Sequence, residues 1–330
     1  MDGTGIDDRA SPGGTTARLV VVTGAGGFIG GHLVRALRDA GYRVRPVTRR
    51  PTPGATEAVV HPGTGADADW RPALDGADAV VHLAGLAHLA LDSREMRRRL
   101  RQVNVLSTRR LAQAAAWAGV ADFVFLSSIK AVSDHSAGAP LTEVTPPRPE
   151  DCYGLAKLAT ERKLRRIAGT APGMRLVILR PPLVYGPGVG ANFKALVGLV
   201  RSGLPLPLGG IDNRRSLIYV GNLVAAVVRS LDRPQVPGGI FHLSDGAAVS
   251  TPGLIRAIAG AQDRPVRLLD MPAGWGSLAA KITGRQAQFR RLEGSLEVSN
   301  RHFCHAFDWK PPFTLQEGLR ATLQRPAPRQ

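Results

Sequence analysis

Tyr153 and Lys157 stand four residues apart in the run YGLAK. On a helix that spacing puts a phenol and an ammonium on one face. A tyrosine ordinarily keeps its proton to about pH 10, and a fixed cation beside it favours the phenolate. The pair therefore reads as a general acid/base able to take a proton from an alcohol or return one to a carbonyl. A third group, a second hydroxyl, belongs with them. The apolar run FVFLSS ends at Ser128, 25 residues before Tyr153. If that run is a parallel strand, its carboxyl end opens into the ligand crevice, where Ser128 could hydrogen-bond a substrate hydroxyl or carbonyl. A serine at a strand end also caps helices, so both duties are open to it.

A cofactor for this chemistry is legible in TGAGGFIG, Thr23 to Gly30. Glycines at 24, 27 and 30 follow an apolar run and precede an amphipathic one. They permit a sharp turn, close approach to a pyrophosphate and tight packing of helix on strand. The helix start at Phe28 and Ile29 supplies unpaired N–H groups and a partial positive charge for the phosphate. Lys157 would hold the nicotinamide ribose of such a dinucleotide. The second strand of an NAD site usually ends in a carboxylate on the adenosine ribose, but here it ends Val47-Thr48-Arg49-Arg50. A carboxylate about 4 Å from a 2′-phosphate would cost about 4 kcal/mol at an effective dielectric near 20. Its absence admits NADP, with Arg49 or Arg50 to meet the phosphate.

These groups need elements to position them. From Arg18, RLVVVTGAGGFIGGHLVRALRDAGYRVRPVT alternates an apolar strand, a glycine turn, a helix marked by Leu33, Val34 and Leu37, and a second strand. Further strands are predicted at 58–60, 79–83, 123–127 and 176–179, and helices at 93–118 and 153–168. This predicts an α/β fold, a Rossmann-type doubly wound parallel sheet over 18–180. After Arg180 proline and glycine multiply, and a smaller, interleaved substrate-binding domain is expected over 181–330, with segments near 216–243 returning to the Rossmann part. Residues 1–17 read as a disordered tail, polar and without the apolar stretch of a secretory signal.

Composition sets the remaining bounds. Of 330 residues 44% are hydrophobic and 21% charged, which excludes disordered and fibrous classes. No apolar run is long enough to cross a membrane. Two cysteines, Cys152 and Cys304, suit a reducing cytoplasm. The net charge of +17 comes from 37 arginines and six lysines spread along the chain. The densest run, REMRRRLR at 94–101, lacks aromatic residues to stack bases, so it reads as a solvated helix face and no nucleic-acid partner is expected. His82 and His88 lack a third ligand at metal spacing, so no metal is assigned. Ser133-Asp134-His135 is a loop, since adjacent residues cannot take triad geometry.

Together TGAGGFIG, HLAG at 82–85, Asn104 in QVNVLST, the Ser128/Tyr153/Lys157 set and RPPLVYGPG follow one known order. The chain resembles the extended short-chain dehydrogenases/reductases of the NAD-dependent epimerase/dehydratase family over about residues 18–325. FLSSIK, YGPGVGANF, NRRSLIYVGNL and RRLEGSLEVS resemble its nucleotide-sugar branch of UDP-glucose 4-epimerases and sugar 4-ketoreductases. The resemblance implies that Tyr153 is the acid/base, Lys157 its electrostatic partner and Ser128 the polarising hydroxyl. It places Leu83, Ala84, Gly85 and Asn104 at the cofactor. Arg215 and Arg291 are placed on a substrate pyrophosphate, each able to slip by one to Arg214 or Arg290, and Asn192 near the uridine. The implied reaction is C4 epimerisation of a UDP-hexose or UDP-N-acetylhexosamine with NAD. The alternative is NADPH-dependent 4-ketoreduction, which Thr48 favours. A non-catalytic redox sensor would have no use for the three catalytic-type residues together.

Departures from the family narrow this. Leu183 stands where many epimerases carry Asn, and Gly63 where an Asp meets adenine, leaving Asp67 or Asp69 as substitutes. Ile129 and Lys130 occupy the places of the acid and base that 4,6-dehydratases need, which disfavours elimination. Related enzymes dimerise through two helices, and the apolar residues Leu100, Val103, Leu111, Leu155, Leu158 and Leu164 predict a homodimer here.

Overall fold

β1 (Leu19–Thr23) is apolar almost throughout because both of its faces are covered. Side chains alternate across a strand. Val20 and Val22 accordingly join one core cluster, with Leu33 and Leu37, while Val21 joins another on the opposite face, with Trp70 and Leu111. The computed structural model describes residues 17–49, 58–65, 68–87, 93–270 and 293–324. The expected tail at 1–17 lies outside them but for its last residue.

After β1 come α1 (Phe28–Asp39), β2 (Arg43–Thr48), β3 (Val59–Val60), α2 (Arg71–Leu74) and β4 (Ala79–His82). A long helical passage follows: α3 (Arg94–Leu100), a π-helical stretch Arg101–Ser107 and α4 (Thr108–Trp117). Next are β5 (Asp122–Leu126), a 3₁₀ turn (Ile129–Ala131), α5 (Cys152–Thr170), β6 (Arg175–Arg180), β7 (Leu183–Tyr185) and α6 (Ala191–Arg201). The chain continues through β8 (Leu217–Tyr219), α7 (Val220–Asp232), β9 (Gly239–His242), α8 (Thr251–Gly260), α9 (Arg301–Ala306) and α10 (Leu315–Leu323).

Seven of these strands form one sheet in the order β3-β2-β1-β4-β5-β6-β9, with every pair parallel. This is the doubly wound α/β sheet that the strand–helix alternation predicts. The chain leaves β1 toward β2 on one side and returns to β4 on the other, so the carboxyl ends of β1 and β4 flank the topological switch point.

Beyond Arg180 the chain serves two places. β9 extends the sheet, and Ile218, Val220, Leu223 and Val227 pack on the face that α1 covers, as do Phe303, Phe307 and Trp309. A separate cluster gathers Tyr185, Phe193, Val197, Leu254, Ile255, Ile258 and Leu319 around the two-stranded β7–β8 sheet. Among the described residues no helix is long and apolar enough to cross a membrane.

Leu100, Leu111, Leu158 and Leu164, expected on an intersubunit face, are buried in the protomer's own core. α4 and α5 each spend their main apolar stripe on the sheet and on each other, which leaves Leu155 at 55% exposure as the outward-facing leucine of that set.

Candidate active site

The glycine turn sits at the end of β1 against the end of β4. Gly24 has φ +73°, and a Cβ there would lie 2.8 Å from the Ala84 nitrogen. A Cβ on Gly30 would lie 2.2 Å from the Gly24 carbonyl oxygen. Both glycines therefore let α1 and the 83–84 backbone close on the turn. Gly27 is the N-cap of α1, with no side chain filling the cap and no acidic residue in the first turn. The N–H groups at Phe28 and Ile29 thus face an uncapped, electropositive helix end suited to a pyrophosphate.

The loop after β4 is clamped from below. Asn104, buried in the π-helical stretch, accepts from the Leu86 N–H at 2.7 Å and donates to the Leu86 carbonyl at 3.0 Å. Its own carbonyl accepts from the Thr160 hydroxyl at 3.0 Å. A π-bulge widens the helix locally, which frees such a carbonyl for a lateral bond. Leu83, Ala84 and Gly85 thereby hold their places beside the turn. His82 is buried between the Thr23 hydroxyl at 2.6 Å and the Thr108 hydroxyl at 2.8 Å. Burial, with the nearby Lys157 ammonium, lowers its pKa to about 3, so it is a neutral bridge between β1, β4 and α4. His88 lies outside the described residues.

At the end of β2 no carboxylate appears. Thr48 is half-buried with its methyl facing Gly26, and Arg49 is exposed near His61. Arg50 and Asp67 lie outside the described residues. Asp69 is exposed and pairs with Arg71 at 2.9 Å. The uncapped helix end, the two glycine contacts and the neutral end of β2 together fit a dinucleotide, and none of them opposes an additional 2′-phosphate.

Three consecutive residues at the end of β5 meet one stripe of α5. The Leu126 carbonyl accepts from Lys157 Nζ at 2.7 Å. Ser127 donates to Glu161 Oε1. The Ser128 side chain stands near the Tyr153 phenol and acts to lower its pKa. The stripe Tyr153, Lys157, Glu161 recurs every four residues along one face. Ser128 also caps the 3₁₀ turn, accepting from the Lys130 N–H at 3.3 Å, which is the capping role open to a strand-end serine.

The helix start is fixed with equal care. Asp151 caps α5 through the Gly154 N–H at 2.7 Å, and its other oxygen pairs with Lys130 Nζ, which also reaches Asp134 at 2.5 Å. A Cβ on Gly154 would lie 2.3 Å from the Lys130 carbonyl oxygen, so glycine lets the helix press directly on the turn that carries Ser128. Lys130 is thus tied to two carboxylates and Ile129 is buried, which leaves no acid or base at the places where elimination requires them.

The electrostatics differ from the spacing-based expectation. Burial pushes the Tyr153 phenol up to about 12, against the lowering by Ser128, and Asp151 adds to the rise. Lys157 Nζ lies 5.8 Å from the Tyr153 ring centroid and 4.7 Å over Phe125. The Lys157 pKa is itself lowered to about 8 by burial, with Glu161 opposing the fall. The ammonium is therefore present, but in the protein alone desolvation outweighs its pull on the phenol.

The substrate-side residues are less complete. Arg215 is half-buried, donates to the Gly294 carbonyl at 2.6 Å and has its pKa lowered by burial while Asp134 opposes the shift. Arg214 is exposed and forks onto Glu297 at 2.7 and 3.1 Å. Of the two, Arg215 is the one turned inward. Asn192 lies in the first turn of α6, while Arg290 and Arg291 lie outside the described residues. Leu183 begins β7 and is 38% exposed. Sequence reading missed Glu161 and Arg180, and with them the Glu161 partner of the Ser127 hydroxyl. The 153/157 spacing, carried one turn further, would have pointed to Glu161.

Known proteins resemble the chain along nearly its whole length. The model of the NAD dependent epimerase/dehydratase family matches residues 20–243. UDP-glucose 4-epimerase of Vibrio cholerae is 38% identical over 322 residues, covering 96% of each chain. GDP-6-deoxy-D-mannose reductase of Pseudomonas aeruginosa is 30% identical, covering 93% of this chain and 96% of the relative. Among solved structures, MoeE5 in complex with UDP-glucuronic acid and NAD superposes with a TM-score of 0.72 at 28% identity, over 92% of this chain and 97% of that one.

Proposed function

The chain belongs to the NAD dependent epimerase/dehydratase family, and on that premise we propose that it epimerises a UDP-hexose or UDP-N-acetylhexosamine at C4 through a 4-keto sugar. The observation that carries this reading is the meeting of Ser128, Tyr153 and Lys157 at one strand end beside the dinucleotide turn. Similarity to an epimerase along nearly the whole chain supports the substrate class.

A bound nicotinamide supplies the acceptor and donor of hydride at C4. Tyr153 takes the proton of the C4 hydroxyl as that carbon is oxidised. Ser128 holds the same oxygen by a hydrogen bond, and Lys157 places a positive charge beneath the developing phenolate. The ketone then turns over and is reduced on its other face, and Tyr153 returns its proton to the alkoxide. Arg215 and Arg291 grip the pyrophosphate, for which a guanidinium's planar fork is suited, and Asn192 meets the uridine.

A second reading is favoured by one observation. Without a carboxylate at the end of β2, Thr48 and Arg49 admit NADP, and an NADPH-dependent 4-ketoreductase would use the reduction half alone. One experiment separates the two. The purified protein is denatured, the released nucleotide identified, and fresh protein incubated with UDP-glucose and UDP-N-acetylglucosamine. Retained NAD with interconversion at C4 is expected. Nucleotide-free protein that consumes NADPH only when given a 4-keto sugar would replace the epimerase with the reductase.

We also infer a cytoplasmic homodimer, supported by the scarcity of cysteine, two in the whole chain, and by Leu155 and Trp117, 55% and 86% exposed on α5 and α4. Light scattering at micromolar concentration should give twice the 35.0 kDa chain mass, and Leu155→Glu should return it to one chain. A wild-type monomer would remove the proposal.

A further inference from the structure

Glu161 is absorbed by none of the roles above, yet it is buried and fully engaged. Its Oε1 accepts from the Ser127 hydroxyl and from Arg180 Nε at 2.9 Å, and its Oε2 from Arg180 Nη2 at 2.5 Å. Arg180, at the end of β6, is 2% exposed and also reaches the ring of His242 on β9 at 3.4 Å. A fork-on-fork ion pair is thereby built under the crevice, tying α5 to the ends of β5 and β6.

Its position in the stripe gives it meaning. Lys157 and Glu161 bind Leu126 and Ser127, and Tyr153 stands near Ser128, so the stripe meets three neighbours on one strand end. Two of these contacts carry the proposed chemistry and the third carries none, but it fixes the residue between the other two. Glu161 also stands one helical turn from Lys157, on the same face. We propose that Glu161, held by Arg180, is a positioning residue that sets the register of Tyr153 and Lys157 against the strand end and supplies the counter-charge beneath Lys157.

The surrounding groups leave Glu161 as the near anion. Lys157 faces the Phe125 ring and the Leu126 carbonyl from β5, and neutral His82 from β4. Burial, with the Arg180 charge, keeps His242 neutral, its pKa lowered to about 4, and Glu143 accepts from the His242 N–H rather than turning to Lys157. At the helix start Asp151 is paired with Lys130. Removing the Glu161 charge therefore removes the carboxylate that opposes the fall of the Lys157 pKa and helps it keep its proton.

The inference rests on the catalytic reading of Tyr153 and Lys157, and its test includes a measurement that needs no turnover. Glu161→Gln is compared with wild type by the pH dependence of Lys157 acylation with acetic anhydride, followed by peptide mass spectrometry. The half-reaction pH should move down by about one pH unit. With UDP-glucose, kcat should fall about 10- to 100-fold, as a misplacement near 1 Å would cause, and KM should change less than about threefold. The alkaline limb of kcat should shift down with Lys157.

Because Glu161→Gln leaves Arg180 buried without its partner, Glu161→Gln/Arg180→Met is made as well. Replacing both members of a buried pair commonly preserves the fold, and Lys157 still loses its neighbouring carboxylate. A folded variant with wild-type kcat and wild-type Lys157 titration, altered only in thermal stability, overturns the proposal. If wild-type protein turns over no UDP-sugar, the epimerase reading falls, while the acylation profile still decides the role of Glu161.

Discussion

Tyr153→Phe is expected to lower turnover about 10²- to 10⁴-fold while leaving the fold and the bound nucleotide in place. The ring is kept, and with it the packing against the cluster of Leu100, Val105 and Ala156. Only the oxygen is lost, and Ser128 retains its bond from the Lys130 N–H. Undiminished kcat in this variant would remove Tyr153 as the acid/base.

The pH dependence gives the same test a sign. Oxidation at C4 needs the phenolate, and the phenol is held up at about 12. Wild-type kcat should therefore climb as pH rises from 6. Lys157 begins to shed its proton near pH 8, and its charge favours the phenolate, so the climb should flatten or reverse above that pH. In Tyr153→Phe the residual rate should lack the climb. A wild-type profile flat from pH 6 to 8 would indicate that another group moves the proton.

Gly30→Ala is the second large effect. Its Cβ would meet the Gly24 carbonyl oxygen at 2.2 Å and the Ala25 Cα at 2.7 Å, all backbone atoms with no flexible end to yield. Either α1 withdraws from β1 or the turn opens, and each displaces the Phe28 and Ile29 N–H groups from a pyrophosphate. Overpacking of this kind costs about 1–3 kcal/mol or more. Dinucleotide affinity measured by titration should fall at least about 100-fold, which is about 2.7 kcal/mol. The neighbouring Gly31→Ala is the control. Nothing lies within 4 Å of a Cβ at that position, and alanine favours a helix over glycine by about 1 kcal/mol, so affinity should hold and stability should rise. Equal losses in both variants would mean that general helix damage, rather than the Gly30 contact, governs binding.

Local chemistry made much of this protein readable from the chain alone. The parallel sheet follows from runs such as LVVVT, FVFL and LVIL, whose unbroken apolarity only a strand buried on both faces can use. The glycine turn and the Tyr153–Lys157 spacing are short-range patterns within single elements, and a helix brings residues four apart together whatever surrounds it. Ser128 was reachable because strand ends in such a sheet share one edge.

Tertiary structure decided what depends on groups distant in the chain. Glu161 reads as an ordinary helix-face carboxylate until β6 folds beside β5 and brings Arg180, 19 residues away, onto both of its oxygens. The rise of the Tyr153 pKa could not come from spacing, since a cation four residues away argues for a fall, and only the folded surroundings determine how much water is removed. The leucines of α3, α4 and α5 show the same limit. Their pattern marks an apolar stripe, but whether it meets the protomer's own sheet or another subunit is a matter of how elements far apart in sequence pack, and that packing turned Leu100, Leu111, Leu158 and Leu164 inward.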